Sequence, residues 1–147
     1  MHERLIARLT RLMAASAQFA EQLPDAAFAT RLDVPSNAIG EQFWCVIGAR
    51  ESYARAITEG GWAGFSCSLG ADATRMGGAV RDGLRASSAT VELAVHGADW
   101  TPLREDLLVD LIEHEAQHQG QLIRYAYALG YPFPPSWVDR WALTQPR

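Results

Sequence analysis

The amino-acid sequence predicts an all-α fold, specifically a four-helix bundle with a Pro/aromatic strap at its C-terminus. Apolar residues recur at helical spacing in four segments, each long enough for one helix of a bundle. No segment has a convincing partner with which it would pair as a strand. The chain has 147 residues, 48% of them hydrophobic and 20% charged, so residues 1–147 are expected to form a single domain.

Prolines and a glycine-rich connection bound the first two predicted helices. The first covers about residues 3–23, where apolar and small side chains recur at helical spacing, and Pro24 ends it. The second follows Pro35, with Ser36 as its expected N-cap. It ends at the glycine-rich connection of residues 60–70.

The third predicted helix, about residues 71–95, carries conflicting signals. Three glycines lie within it, and each costs roughly 1 kcal/mol relative to alanine. Its second half, residues 87–95, is rich in Thr and Val and suits a strand by local preference. We expect a helix, because a lone strand would find no partner elsewhere in this sequence.

The fourth predicted helix has well-marked boundaries. Asp99 or Thr101 is expected to cap its N-terminus, and Pro102 occupies a favoured first-turn position. The apolar pattern continues to Leu129, and Gly130 then supplies a left-handed C-terminal cap.

A proline-aromatic segment follows over residues 131–137 and leads into a short turn of helix that ends near Leu143. Two consecutive prolines restrict its backbone, and Trp137 and Trp141 are available for burial. We therefore expect an ordered strap that lies over the bundle.

Charge and cysteine content argue against several classes of protein. The formal net charge is −4, and all 13 basic residues are arginines scattered along the chain, which does not favour nucleic-acid binding. No N-terminal signal is visible, and no apolar stretch approaches the roughly 20 residues of a membrane span. Cys45 and Cys67 are too few for a disulfide framework. The expected location is the cytoplasm, with both thiols reduced and neither nucleic acid nor membrane as a partner.

Two histidines one helical turn apart are the strongest indication of chemistry. A separation of four residues places His114 and His118 on the same helix face, about 6 Å apart along the axis. Leu111 and Tyr125 share that stripe, with Gln121 on the next turn, so the face is expected to point inward. A single inward histidine is usually a hydrogen-bonded core residue. Two on one face favour a shared divalent metal, because each ring would otherwise need its own buried partners.

The segment from His114 to His118 also matches H-E-x-x-H, the zincin signature, in which the Glu polarises a zinc-bound water. The longer metzincin pattern requires Gly and His further along, where this chain has Gln121 and Arg124. No Glu follows on a later helix, and Asp139 is the only acid after the motif. A zincin-like hydrolase is therefore the least favoured of three functional hypotheses.

The end of the fourth helix carries a resemblance to a known family. Residues 114–122 read His-Glu-Ala-Gln-His-Gln-Gly-Gln-Leu and precede Tyr125, Leu129-Gly130 and the proline-rich end. This pattern resembles the last helix of the DinB-like family, also called damage-inducible or YfiT-like. The resemblance implies a DinB/YfiT-like four-helix bundle, often a homodimer, with a divalent metal between its helices. The family's ligands are one His on the second helix and two on the fourth.

The second helix departs from the family pattern at its expected ligand. Cys45 stands where the family has His, within residues 42–51, which resemble the ligand-bearing stretch. A thiolate is a good zinc ligand, so the resemblance implies a site of Cys45, His114 and His118 that holds zinc or nickel and keeps one position open. The alternative is that Cys45 is a small buried residue in a decayed site. Glu41, one turn earlier, offers a further oxygen donor.

The remaining polar residues are interpreted as having ordinary roles. His96 is expected to be exposed or to cap a helix, His2 to be disordered and Cys67 to be structural. Glu115 is interpreted either as a group that supports the metal ligands or handles protons beside them, or as a solvated surface residue. Two pairs of adjacent residues are interpreted as solvated ion pairs: Arg50 with Glu51 and Arg104 with Glu105.

The resemblance also implies a reaction class. Some DinB-like proteins are thiol-dependent transferases or isomerases, which implies that this chain uses its metal to activate a small-molecule thiol toward an electrophile. The alternative is a non-catalytic homodimeric bundle in stress response, with a structural or decayed metal site. An open coordination position with a cavity leading to it would favour the enzyme, whereas a closed site with four protein ligands would favour the structural role.

Overall fold

In the computed structural model, which describes all 147 residues, the chain is entirely helical. The expected all-α class is confirmed, and the segment that locally suits a strand is helical throughout. Two short 3-10 segments, Asp25–Ala29 and Ala71–Arg75, precede the second and third helices. The α-helices are α1 (His2–Gln22), α2 (Ile39–Glu59), α3 (Gly77–Gly97), α4 (Pro102–Leu129) and α5 (Pro135–Trp141).

α2 starts later than the sequence predicts. It begins at Ile39 with Ala38 as its N-cap, and not at the predicted cap, Ser36. The Ser36 hydroxyl instead accepts a hydrogen bond from the Leu32 N–H at 3.0 Å. The Glu41 carboxylate accepts one from the Ala38 N–H at 2.6 Å and so satisfies a free donor at the helix start. The predicted cap is wrong because the serine stabilises the preceding turn.

The predicted third helix is broken near its start. Its first residues form the 3-10 segment Ala71–Arg75, and α3 itself begins at Gly77. A Cβ atom at Gly40 would overlap the Thr74 carbonyl oxygen, so the first turn of α2 lies directly against this segment. The contact joins residues that are far apart in the chain, and local sequence therefore gives no sign of the break.

Both predicted boundaries of α4 are confirmed. Thr101 is the N-cap, and its hydroxyl accepts a hydrogen bond from the Arg104 N–H at 3.3 Å. Pro102 lies in the first turn, where its missing N–H costs nothing. Gly130 ends the helix in the left-handed conformation, with φ of 74°. These caps fix a helix of 28 residues that carries both candidate histidine ligands.

α2 lies at the centre of the helix packing. It packs along α3 and α4 and against both 3-10 segments, while α1 packs along α4 and α3. No helix combines the length and the apolar character that crossing a membrane requires.

A layer of buried polar side chains divides the core into two apolar halves. One half is rich in aromatic residues and includes Phe19, Phe28, Phe43, Leu122 and Trp137. The other is mostly aliphatic and includes Leu9, Met13, Ile57, Leu108 and Leu111. Between them, on α1, α2 and α4, lies the polar layer, which consists of Ser16, Arg50, Glu115 and Gln119. Such a layer is costly unless its members satisfy one another.

The C-terminal segment is ordered and packed, as expected of the strap. Trp137 is fully buried, and its indole Nε1 donates a hydrogen bond to the Ala15 carbonyl of α1 at 2.7 Å. Its ring packs on Phe19 with centroids 4.7 Å apart. Trp141 donates to the Gln119 side chain of α4 at 3.1 Å. α5 therefore ties α1 to α4.

Candidate metal centre

The three residues that the sequence proposes as ligands come together between α2 and α4. One potential ligand atom from each of Cys45, His114 and His118 lies within 4.8 Å of the other two. Cys45 Sγ lies 3.6 Å from His114 Nε2, and the two imidazole rings have centroids 4.5 Å apart at an angle of 48°. A sulfur and two imidazole nitrogens so close together form a cluster that can hold a metal ion.

His118 is oriented by a residue that sequence reasoning missed. Its Nδ1 lies 2.8 Å from the Gln42 side-chain oxygen, and the ring is only 8% exposed. Because an amide oxygen can only accept, Nδ1 carries the proton and Nε2 keeps a free lone pair. Gln42 precedes Cys45 by three residues on α2, so the two share a helix face. This spacing from Cys45 is the signal by which Gln42 could have been identified from the sequence.

His114 does not fit the interpretation of an ordinary core histidine. Its Nδ1 is buried and has no hydrogen-bond partner, while its Nε2 faces the Cys45 thiol. Buried ring nitrogens in proteins are nearly always hydrogen-bonded or bound to a metal. The ring therefore fits a site that needs a further occupant.

The protonation states of the three groups follow from their burial. The pKa of His118 is lowered to about 4, first by burial and then by the neighbouring His114. Burial also lowers the pKa of His114. Both rings are therefore neutral at pH 7 and able to donate a lone pair. Burial raises the pKa of the Cys45 thiol, so it becomes a metal ligand only by losing a proton that it otherwise keeps.

Glu115, the acid of the H-E-x-x-H motif, belongs to the buried polar layer and is not part of the candidate ligand cluster. It is fully buried and forms a two-point ion pair with Arg50, in which Arg50 Nη2 lies 3.1 Å from Glu115 Oε2. The Ser16 hydroxyl donates to the same oxygen at 3.1 Å. Three donors thus hold the Glu115 carboxylate within the polar layer. The interpretation of Glu115 as a solvated surface residue is therefore wrong.

The interpretation of Arg50 as a solvated partner of Glu51 is also wrong. The Arg50 side chain is fully buried, and its Nη1 donates to the Leu84 carbonyl at 3.2 Å and to the Ser88 hydroxyl at 3.0 Å. Glu51 faces the other way and accepts from the Ser68 N–H at 2.8 Å, which anchors the glycine-rich connection. Arg50 follows Val46 and Ile47 at helical spacing, and this placement on the apolar stripe indicates that it points inward.

The buried glutamine of α4 is Gln119 and not the predicted Gln121. Gln121, predicted to continue the inward stripe, is exposed, whereas Gln119 is fully buried. The Gln119 amide donates to the Leu12 carbonyl at 2.8 Å and to the Ser16 hydroxyl at 3.0 Å. α4 is covered on two sides, by α1 and α2, so its buried surface is wider than the stripe of the two histidines.

Several residues of the sequence prediction lie outside the cluster. His96 is exposed, as expected. His2 is helical and stacks on Trp100 with centroids 5.0 Å apart, so the expectation of disorder is wrong. Glu41 pairs with an arginine at 2.9 Å and is not a ligand here. The Cys67 thiol donates to a backbone carbonyl of α2 at 3.5 Å.

The expectation that Arg104 forms a solvated pair with Glu105 is wrong as well. The Arg104 guanidinium donates to the Ile57 carbonyl at 2.6 Å and to the Asp99 carbonyl at 2.9 Å. It thus satisfies a free carbonyl at the C-terminal end of α2 and holds the loop before α4.

A cavity borders the cluster at Cys45. It is open to the exterior, has a volume of about 300 Å³ and lies between the start of α2 and the second 3-10 segment. Its lining consists of Asn37, Glu41, Trp44, Cys45, Ala71 and Thr74. The two histidines are not part of this lining, so Cys45 is the candidate ligand that borders the cavity.

Comparison of the chain with protein-family models, with curated proteins and with solved structures finds no match.

Proposed function

We propose that this chain binds zinc or nickel through Cys45, His114 and His118, and that it uses the metal to activate a small thiol for transfer or isomerisation. The observation that carries the proposal is the convergence of the three ligand atoms within 4.8 Å, with a buried His114 nitrogen left without a partner. One thiolate and two imidazoles are donors that suit both metals.

The number of protein ligands supports a reactive site over a structural one. Three side chains supply donors, and Glu41, the further oxygen donor that the sequence offers, is engaged elsewhere. Zinc sites with three protein ligands keep a position for water or substrate. A divalent metal there supplies Lewis acidity, which lowers the pKa of a thiol bound in that position. Gln42 would orient the His118 ring, and the cavity beside Trp44 would admit the thiol and its electrophilic partner.

We further propose that the fold is a four-helix bundle of the DinB-like type. The four long helices, and the histidine pair near the middle of the last of them, support this assignment. In this proposal Cys45 replaces the histidine that the family has on its second helix. The family's frequent dimers make a homodimer the expected assembly, which sedimentation velocity would test.

A non-catalytic function for the site remains the second candidate, and the burial of the cluster favours it. His118 is 8% exposed, and both histidines flank the fully buried Glu115. A metal at such a position could serve to join α2 and α4 and nothing more. The zincin-like hydrolase has no such support, because Glu115 is held by Arg50.

Elemental analysis of the purified protein tests metal binding. We expect about one zinc or nickel ion per chain in the wild type and in Cys67→Ala, a matched control that removes the thiol outside the cluster. Cys45→Ala and His118→Ala should lose most of the metal. A wild type without stoichiometric metal would overturn the proposal. If only His118→Ala loses metal, Cys45 is not a ligand.

Cobalt substitution separates the enzymatic function from the structural one. Addition of a small thiol should change the visible spectrum of the cobalt-loaded protein if a coordination position is open. A spectrum that stays the same at saturating thiol would favour the structural role.

A further inference from the structure

Hydrogen bonds connect α1 to the C-terminal segment, which runs in the opposite direction: Gln22 bonds to the Pro132 carbonyl near the end of α1. Trp137 donates to the Ala15 carbonyl at 2.7 Å, and Ser136, one residue earlier, donates to the Gln18 side chain. Residue numbers therefore rise along α5 as they fall along the neighbouring part of α1. Residues after Trp137 therefore continue toward the part of α1 that precedes Ala15.

This arrangement brings together arginines from opposite ends of the chain. Arg140 lies one turn after Trp137 and so faces the preceding turns of α1, which carry Arg8 and Arg11 on the same face as Ala15. Arg8 and Arg11 are exposed, and Arg140 is half-buried. The sequence shows only scattered arginines, whereas the fold collects three of them into one cluster.

No acidic side chain neutralises this arginine cluster. None of the three arginines has a carboxylate within 4.0 Å. The chain has 17 acidic residues against 13 basic ones, so acids are not scarce. Four other arginines do pair with a carboxylate, namely Arg31, Arg50, Arg81 and Arg85.

Arg140 is held in place with donor capacity unused. Its guanidinium lies over the Trp141 ring, 5.2 Å from the centroid, and its Nε is buried without a hydrogen-bond partner. Burial lowers the pKa of Arg140, and the nearby charges of Arg11 and Arg8 lower it further. The fold thus holds three cations together against their mutual repulsion, an arrangement that a bound anion would relieve.

We propose that Arg8, Arg11 and Arg140 form a binding site for a phosphate group, carried either by a soluble metabolite or by a lipid headgroup. The planar guanidinium fork matches pairs of phosphate oxygens and donates to both. A phosphate monoester carries close to two negative charges at neutral pH, which suits three cations better than the single charge of a carboxylate. The net charge of −4 excludes a general attraction for anions, so this binding is local.

The proposed phosphate site is separate from the metal centre. Trp141, next to Arg140, bonds to Gln119, which points toward α1. His118 points toward Gln42 on α2. The two sites therefore lie on different sides of α4, and phosphate binding should persist in His118→Ala.

Calorimetric titration with inorganic phosphate tests the site. We expect saturable binding to the wild type, and an affinity lower by about tenfold in each of Arg8→Gln, Arg11→Gln and Arg140→Gln. Arg85→Gln is the matched control, because this exposed arginine already pairs with Glu21 at 2.7 Å. The Arg85→Gln variant should bind phosphate with the same affinity as the wild type. Co-sedimentation with phosphatidic acid vesicles, displaced by free phosphate, would identify a headgroup as the source; binding of phosphate without vesicle binding would identify a soluble metabolite.

Absence of saturable phosphate binding would overturn the proposal. Equal weakening in Arg85→Gln would do so as well, because it would show that only overall charge matters. Arg8 and Arg11 are exposed, so their replacement leaves the packing intact and keeps the test valid even if Arg140→Gln loosens α5.

Discussion

The hydrogen bond between His118 and Gln42 sets which imidazole nitrogen can bind a metal. At 2.8 Å, the amide oxygen holds the proton on Nδ1 and fixes the ring, so that Nε2 faces the cluster. Without that acceptor the ring would sample other orientations and tautomers. Metal affinity therefore depends on a residue that is not itself a ligand.

Replacement of Gln42 should weaken metal binding without removing a ligand. We expect Gln42→Leu to lower zinc affinity by about 10- to 100-fold, as measured by competition with a chromophoric chelator. Gln42→Glu should restore most of it, because a carboxylate also accepts from Nδ1. Gln121→Leu, an exposed glutamine on α4, is the control. Wild-type affinity in Gln42→Leu would show that the hydrogen bond does not orient the ring.

Acidification should destabilise the metal-free protein because of His118. A histidine pKa of 6.5 in the unfolded chain falls to about 4 in the fold, so the unfolded state binds the proton more tightly. The contribution of His118 to the free energy of unfolding is fully present above pH 6.5. It decreases by roughly 3 kcal/mol as the pH falls to 4. Urea denaturation at several pH values measures this loss. His118→Phe should reduce it, whereas His96→Gln, an exposed control, should not.

At the scale of helices, the Arg50–Glu115 pair joins α2 to α4 next to the metal ligands. Glu115 directly follows His114, and Arg50 lies just over one turn after Cys45. Both side chains are fully buried, so loss of either partner would leave the other as an uncompensated buried charge. The same contacts hold the two ligand-bearing turns in register.

Replacing one partner of this pair should lower the free energy of unfolding more than replacing both. We expect Arg50→Met alone to lower the free energy of unfolding by about 3–5 kcal/mol, because Glu115 is left charged and buried. The double variant Arg50→Met with Glu115→Leu should recover most of that loss. Arg85→Met, which breaks an exposed pair, should cost at most about 1 kcal/mol. Urea denaturation that shows equal losses for Arg50→Met and Arg85→Met would contradict this.

The sequence reveals elements whose signals are local and misses those that depend on distant contacts. Thr101, Pro102 and Gly130 mark the ends of α4 within a few residues of the chain, and both ends are confirmed. The break before α3 depends on the contact of Gly40 with Thr74, which no local pattern encodes.

The candidate site divides in the same way. The spacing of His114 and His118 is visible within one helix, whereas the resemblance was needed to bring in Cys45. The partner of Glu115 is Arg50, 65 residues away, and nothing local identifies it. The general rule that buried charges are paired predicts that a partner exists, and only the fold shows which one it is.

For the whole molecule, the candidate metal centre lies on α4 between Leu111 of one apolar half and Leu122 of the other. Its candidate ligands come from α2 and α4, so a bound ion would link these two helices. Ligand binding to the folded state alone raises global stability by mass action. The fold and the metal should therefore stabilise each other.

Removal of the metal should lower the thermal stability of the whole protein. At free zinc about 100-fold above Kd, the ion contributes about 3 kcal/mol, which a chelator would abolish. Calorimetric melting should show a lower Tm on chelation in the wild type and in Cys67→Ala. In His118→Ala the chelator should have little effect. A wild-type Tm that is indifferent to chelator would mean that the ion does not bind the folded state preferentially.

X-ray absorption spectroscopy of the zinc-loaded protein tests the Cys45, His114 and His118 ligand set most directly. We predict one sulfur at about 2.3 Å and two imidazole nitrogens at about 2.0 Å, with one further light-atom ligand. Cys45→Ala should lose the sulfur shell, and Cys67→Ala should retain it. A zinc environment of nitrogen and oxygen alone in the wild type would contradict the assignment of Cys45 and, with it, the proposed centre.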